Sequence, residues 1–176
     1  ELPLNDSDTD SIPAGAPKEA DDIAENSLDD RFQILVVEDN EIMRNVLKEE
    51  LSGQYDVHCA SDGKKALDIV RQKRIDLVVS DVMMPEMDGC ELCNAIKGDI
   101  ELSHIPVLLL TAAVGVETNL RSLQAGADAY IEKPFKMEIL SAQINNLFKN
   151  REIRNRQFAT SPLSHINCSS INKVEY

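Results

Sequence analysis

Several residues capable of chemistry stand where the sequence turns from apolar to polar: the pair Glu38-Asp39, Asp81, Thr111 and Lys133. Three carboxylates, a hydroxyl and an ammonium form a set that can hold a hard divalent cation and an anion side by side. Carboxylates crowded together repel, and an oxygen-seeking ion such as magnesium (Mg2+) relieves the repulsion while keeping some of its water. The lysine supplies mobile positive charge for an incoming anion. A carboxylate held beside a metal and a lysine can accept a phosphoryl group, because positioning and charge neutralisation carry most of the catalysis of that transfer. Taken singly, each residue has a plainer reading. Glu38-Asp39 can cap a helix, Asp81 before Val82-Met83-Met84-Pro85 can begin a turn, Thr111 can end a strand, and Lys133 can be a surface lysine.

The surrounding elements decide between these readings. Ile34, Leu35, Val36 and Val37 form a short apolar run that ends at Glu38-Asp39, and Ile42, Val46, Leu47 and Leu51 follow at helical spacing. The same strand-then-helix alternation predicts strands over 55–59, 75–79, 107–110 and 129–131. Helices are expected around Ala66, Leu67 and Val70, and over about 89–97, 117–124 and 136–149. Continuous apolar strands alternating with amphipathic helices imply a parallel sheet covered on both faces, because parallel strands need crossovers. The expected class is therefore α/β, a doubly wound, five-stranded parallel sheet. In such a fold the ligand site lies at the carboxyl ends of the strands. Glu38-Asp39, Asp81, Thr111 and Glu132-Lys133-Pro134 all follow apolar runs, so the topology gathers them on one edge. Four strand ends polar in the required places outweigh the plain reading of each.

Composition narrows the function classes. The net charge of −13 is concentrated in residues 1–30, which hold ten acids and one lysine, leaving −4 for the rest of the 176 residues. A chain of this charge repels phosphate backbones, so no direct nucleic-acid binding is expected of this fragment. The basic cluster Lys149, Arg151, Arg154 and Arg156 reads as a solvated helix end complementing the dipole. No apolar run approaches the roughly 18 residues of a membrane span, so no membrane contact is expected of the fragment. Cys90-x-x-Cys93 has the spacing of a redox or metal pair, but on a helix those positions share a face. His58, His104 and His165 are isolated, so the cysteines, including Cys59 and Cys168, read as small hydrophobes in a reducing compartment. The absence of a Gly-rich phosphate loop after the first strand weakens a flavodoxin-like cofactor binder. A metal-dependent aspartyl phosphohydrolase normally carries an acid two residues after its nucleophile, and that position is Met83.

Four segments then carry a resemblance: Val36-Val37-Glu38-Asp39-Asn40, Ser80-Asp81-Val82-Met83-Met84-Pro85-Glu86-Met87-Asp88-Gly89, Leu110-Thr111-Ala112 and Glu132-Lys133-Pro134-Phe135. In this order and spacing they resemble the signature segments of response-regulator receivers, and the likeness spans residues 32–150. The resemblance implies that Asp81 is the phosphoacceptor of a flavodoxin-like receiver that catalyses its own phosphorylation and dephosphorylation. It implies magnesium held by Asp39, Asp81 and the Met83 carbonyl, with Glu38 acting through water. Thr111 and Lys133 contact the phosphoryl oxygens, the Lys133–Pro134 peptide is cis, and Thr111 with Tyr130 forms the switch. Two positions depart from the family pattern: Ala129 follows Gly126-Ala127-Asp128 where a second acid is common, and Ala113 stands two beyond the threonine.

The flanks give the expected setting. Residues 1–31 read as the end of a preceding domain, with Glu1-Leu2-Pro3-Leu4 resembling the last strand of a histidine-kinase ATPase domain, and then a flexible acidic linker. A linker of this kind spans roughly 25 to 30 Å, enough for the receiver to reach a phosphohistidine of the same polypeptide. Residues 151–176 read as a helix extension and a linker, and Ser161-Pro162-Leu163 resembles the lead-in to an AraC-type helix-turn-helix domain. The expectation is a cytoplasmic portion of a hybrid histidine kinase whose parent protein binds DNA, with an inner-membrane sensor as one form of that parent. Its receiver is expected to pair as a homodimer through the fourth helix, fifth strand and fifth helix. A phosphorelay intermediate that passes its phosphoryl group to a histidine phosphotransfer domain is the alternative.

Overall fold

The computed structural model describes residues 31–112 and 115–160. The expectations placed on Glu1-Leu2-Pro3-Leu4, the acidic linker, Ala113, Ser161-Pro162-Leu163, His165 and Cys168 lie outside the described residues.

Ten elements alternate: β1 (Gln33–Val37), α1 (Glu41–Leu51), β2 (Asp56–Ala60), α2 (Gly63–Gln72), β3 (Leu77–Asp81), α3 (Gly89–Gly98), β4 (Val107–Ala112), α4 (Gly115–Gln124), β5 (Ala129–Lys133) and α5 (Met137–Thr160). The strands form one parallel sheet in the order β2-β1-β3-β4-β5. The order reverses between β1 and β3, which makes the crevice beyond those two strands the expected ligand position.

Alternation along the strands divides the core into two layers. Leu35, Val37, Val78, Val107 and Leu109 pack with Ala66 and Val70 of α2 and Leu92 and Ile96 of α3. Ile34, Val36, Leu77, Val79, Leu108 and Leu110 face the opposite way, onto Leu47 and Leu51 of α1 and Leu140 and Ile144 of α5. Successive strand residues point to opposite faces, so strands this uniformly apolar need helices on both sides.

Helix starts are fixed by side chains. Asn40 caps α1 by accepting from the amides of Ile42 and Met43, and Asp62 caps α2 by accepting from Lys65 N at 2.9 Å. Asp88 and Glu91 close a reciprocal capping box on α3. The cap of α1 is thus Asn40, which leaves the side chains of Glu38 and Asp39 free for other work.

Three features differ from the sequence-based expectation. The strand expected over 75–79 runs from Leu77 to Asp81, because the Asp76 carboxylate accepts the Gln33 amide at 2.9 Å where a ladder carbonyl would otherwise do so. The last helix, expected over about 136–149 with an extension beyond, runs on to Thr160, so the basic cluster lies in its body rather than at its end and its last turn has no basic residue. Arg151 is not simply solvated either: its Nη1 is 3.2 Å from Asp76 Oδ1. Cys90 and Cys93 are free thiols inside the core, and burial pushes the Cys93 thiol up to about 11. No helix among the described residues is long and apolar enough to cross a membrane.

Candidate functional site

β1 and β3 are neighbours in register, Val37 opposite Ser80, so the residues that follow, Glu38-Asp39 and Asp81, meet at the carboxyl edge. Carboxylate oxygens of Glu38, Asp39 and Asp81 all lie within 4.8 Å of one another. Glu38 and Asp81 are buried while Asp39 is exposed. Lys133, at the end of β5, reaches across with Nζ 3.1 Å from Glu38 Oε2 and 3.2 Å from Asp81 Oδ1. The second Glu38 oxygen accepts the Asn40 amide at 3.3 Å.

Charge in this cluster is unbalanced. Three carboxylates share one ammonium, and Asp39 has no ion pair among the described residues. Burial raises the Glu38 carboxyl above its usual range. The Lys133 hydrogen bond works against that shift and the Asp81 charge adds to it. Burial alone would lower the Lys133 ammonium, but the hydrogen bond it donates to Glu38 and the charges of Asp81 and Glu38 outweigh burial and hold the group protonated. An all-oxygen donor set with surplus negative charge suits a hard divalent cation better than a soft one.

Thr111 is buried one residue beyond the Asp81–Leu110 pairing of β3 with β4, on the strand between Asp81 and Lys133. Tyr130 of β5 is 51% exposed, so its ring stands outside the core. Met83 is exposed in the loop after β3. The Lys133–Pro134 peptide is cis. The fold therefore gathers Glu38, Asp39 and Asp81, pairs Lys133 with Glu38 and Asp81, and buries Thr111 on the strand between Asp81 and Lys133, whereas Tyr130 and Met83 are exposed.

Arg44, Asn40 and Gly63 stand outside the set of site residues expected from the sequence. Arg44 Nη1 grips the carbonyls of Glu38 at 2.8 Å and Asp39 at 3.3 Å, which fixes the backbone carrying both acids. Its signal was its place one helical turn after the acidic pair. Asn40 was legible as a helix cap directly after that pair.

The family model for the response regulator receiver domain matches residues 34–145. A relative named histidine kinase P4, from Formosa agariphila, is 40% identical over 142 residues, 81% of this chain and 10% of the relative. Response regulator MprA of Mycolicibacterium vanbaalenii is 42% identical over 118 residues, 66% of this chain and 50% of the relative. The chain thus spans between a tenth and a half of the length of these curated relatives. Among solved structures, the signal receiver domain of a signal transduction histidine kinase from Syntrophus aciditrophicus is similar at TM-score 0.65 and 32% identity. That match covers 82% of this chain and 99% of the other.

Proposed function

The chain belongs to the response regulator receiver domain family of two-component signalling, and from that premise we propose that Asp81 accepts a phosphoryl group from a kinase phosphohistidine. The observation that carries the reading is the unbalanced cluster: three carboxylates within 4.8 Å around a single lysine at the sheet's carboxyl edge. An Asp81 oxygen attacks phosphorus, the P–N bond to the histidine breaks, and the imidazole leaves with the electron pair and takes up a proton. Lys133, already between Glu38 and Asp81, donates to a phosphoryl oxygen, and the Thr111 hydroxyl donates to another. Receiver domains generally use magnesium, and here Asp39, Asp81 and the Met83 carbonyl would hold it, with Glu38 acting through water. The bound ion supplies positive charge that offsets the phosphoryl oxygens.

Incubation with magnesium and acetyl phosphate should label wild type and leave Asp81→Asn unlabelled. Equal labelling of the variant sinks the assignment.

The partner in this reading is a histidine kinase domain, favoured in the same polypeptide because the relative from Formosa agariphila is named a histidine kinase. The setting is a cytoplasmic part of a hybrid regulator, with the acidic stretch to residue 31 as linker and residues 32–150 as receiver. The segment beyond it leads toward a DNA-binding output. Phosphorylation shifts a population between two packings of α4, β5 and α5, with Thr111 and Tyr130 as the coupled pair. Exposed Leu120, Leu123, Tyr130 and Ile139 on these elements support a homodimer through that face. Beryllofluoride with magnesium should raise self-association in sedimentation, and Thr111→Ala should blunt the rise. A wild type that stays monomeric removes the dimer from the scheme.

A further inference from the structure

The residues 82–88 leave the sheet directly after Asp81 and carry Met83. Their base is closed by Val82 N to Leu110 O at 3.0 Å and by Gly89 N to Val82 O at 2.9 Å. A Cβ at Gly89 would run into the Asp81 carbonyl, so nothing larger than glycine lets this base close. The far side of the loop has a different support. Met87 N bonds Pro85 O at 2.8 Å, Glu86 takes a left-handed φ of 68°, and the Met87 carbonyl accepts the Gly63 amide at 3.2 Å.

Gly63 is the first residue of α2, and the contact is close. A Cβ built there would lie 2.7 Å from Met87 Cγ, 2.7 Å from Met87 O and 2.9 Å from Met87 Cβ. The thioether chain can rotate aside, but the carbonyl oxygen and Cβ move only with the backbone. α2 cannot easily yield, because Asp62 caps it through Lys65 N at 2.9 Å and Ala66 N bonds Asp62 O at 3.1 Å. Lys64 Nζ adds an ion pair to Glu86 at 3.0 Å, but both side chains are more than half exposed, so that pair contributes little.

We infer that Gly63 is a positioning residue for the phosphoacceptor site: by letting the start of α2 close onto Met87 it sets where the loop after Asp81, and with it the Met83 carbonyl, stands. This rests on the phosphoacceptor reading above. An alanine at Gly63 must push the loop from 2.7 Å toward ordinary contact at 3.4 Å, a displacement of about 0.7 Å. Misplacement on the order of 1 Å around a reacting centre can lower rates by about 100-fold.

The test uses the full 176-residue chain and reads metal binding apart from phosphorylation. Free manganese is titrated by electron paramagnetic resonance into wild type, Gly63→Ala and Lys64→Ala, and acetyl phosphate labelling is timed on the same samples. Gly63→Ala should bind manganese at least about fivefold more weakly and label at least about tenfold more slowly, with Lys64→Ala close to wild type. Wild-type manganese affinity and labelling rate in Gly63→Ala overturn the inference. Absence of labelling in wild type itself overturns the phosphoacceptor reading instead. A variant-free measurement covers the case in which Gly63→Ala does not fold. Titrating magnesium into 15N-labelled wild type should shift the Gly63 amide with the same midpoint as the Asp81 amide. A Gly63 amide that stays still while Asp81 responds means the loop does not join the two, and the inference falls.

Discussion

Buried carboxylates stand at both ends of the sheet, in opposite circumstances. At the amino end the Asp76 side chain is 2% exposed, accepts the Gln33 amide at 2.9 Å, and lies 3.2 Å from Arg151 Nη1 and 3.5 Å from Arg74 Nε. Arg151 also donates to the Asp76 carbonyl at 3.1 Å. At the carboxyl end three carboxylates are served by one lysine. The residue types are the same and the ratio differs. Where cations and donors match the acid, the cluster ties β1, β3 and α5 together. Where acids outnumber cations, the fold carries repulsion that a ligand can relieve, as expected when part of a protein's stability is given over to a site.

The largest expected effect breaks the matched end. Asp76→Ala strips Arg151 of its carboxylate partner, leaving only the Asp76 carbonyl, and leaves the Gln33 amide without its acceptor, and losing one member of a buried pair costs on the order of 3 kcal/mol. Urea unfolding should show this loss equally in EDTA and in magnesium, with Asp81 still labelled in the folded fraction. A loss that vanishes in magnesium would mean that the two ends are not independent, and the comparison fails.

Next in size is the response of the unmatched end to its ion. With a dissociation constant on the order of 1 mM, magnesium at about 10 mM should stabilise wild type by roughly 1.4 kcal/mol by mass action. Asp39→Asn should abolish that gain while keeping the fold. Equal magnesium stabilisation of the variant would remove Asp39 from the ligand set.

The sequence made the fold and the membership of this cluster legible for one reason. Strand runs such as Ile34–Val37 and Val107–Leu110 are apolar on both faces, which requires a parallel sheet, and a parallel sheet places its strand ends together. What the sequence hid depended on side chains replacing backbone partners. Asp76 reads as an interruption of an apolar run, yet its carboxylate occupies the ladder position opposite Gln33 and shifts the start of β3. Arg151 reads as one of several helix-end cations until the helix is seen to pass it by. Gly63 looks like an ordinary helix start after Asp62, because the close approach of Met87 comes from a loop more than twenty residues away. The outward stance of Tyr130 was not legible either, since β5 is an edge strand and its burial depends on how α4 and α5 pack beside it.

The smallest expected effect has the most informative sign. In EDTA, Asp39→Asn deletes one of three mutually repelling carboxylates and keeps its size and hydrogen-bonding capacity. Asp39 is exposed, so water screens its repulsion with Glu38 and Asp81, and the change should amount to less than about 1 kcal/mol. Its direction should nevertheless be toward greater stability, because the Asp39 carboxylate lies within 4.8 Å of both buried carboxylates and removing a like charge relieves their repulsion. Asp39 also makes no ion pair among the described residues that its loss would break. Asp76→Ala at the other end must lower stability, so two acid-removing substitutions in one sheet are expected to shift the urea midpoint in opposite directions in the same metal-free buffer. A metal-free Asp39→Asn less stable than wild type would show that Asp39 is structurally matched after all, and the surplus charge assigned to the carboxyl edge would have to be withdrawn.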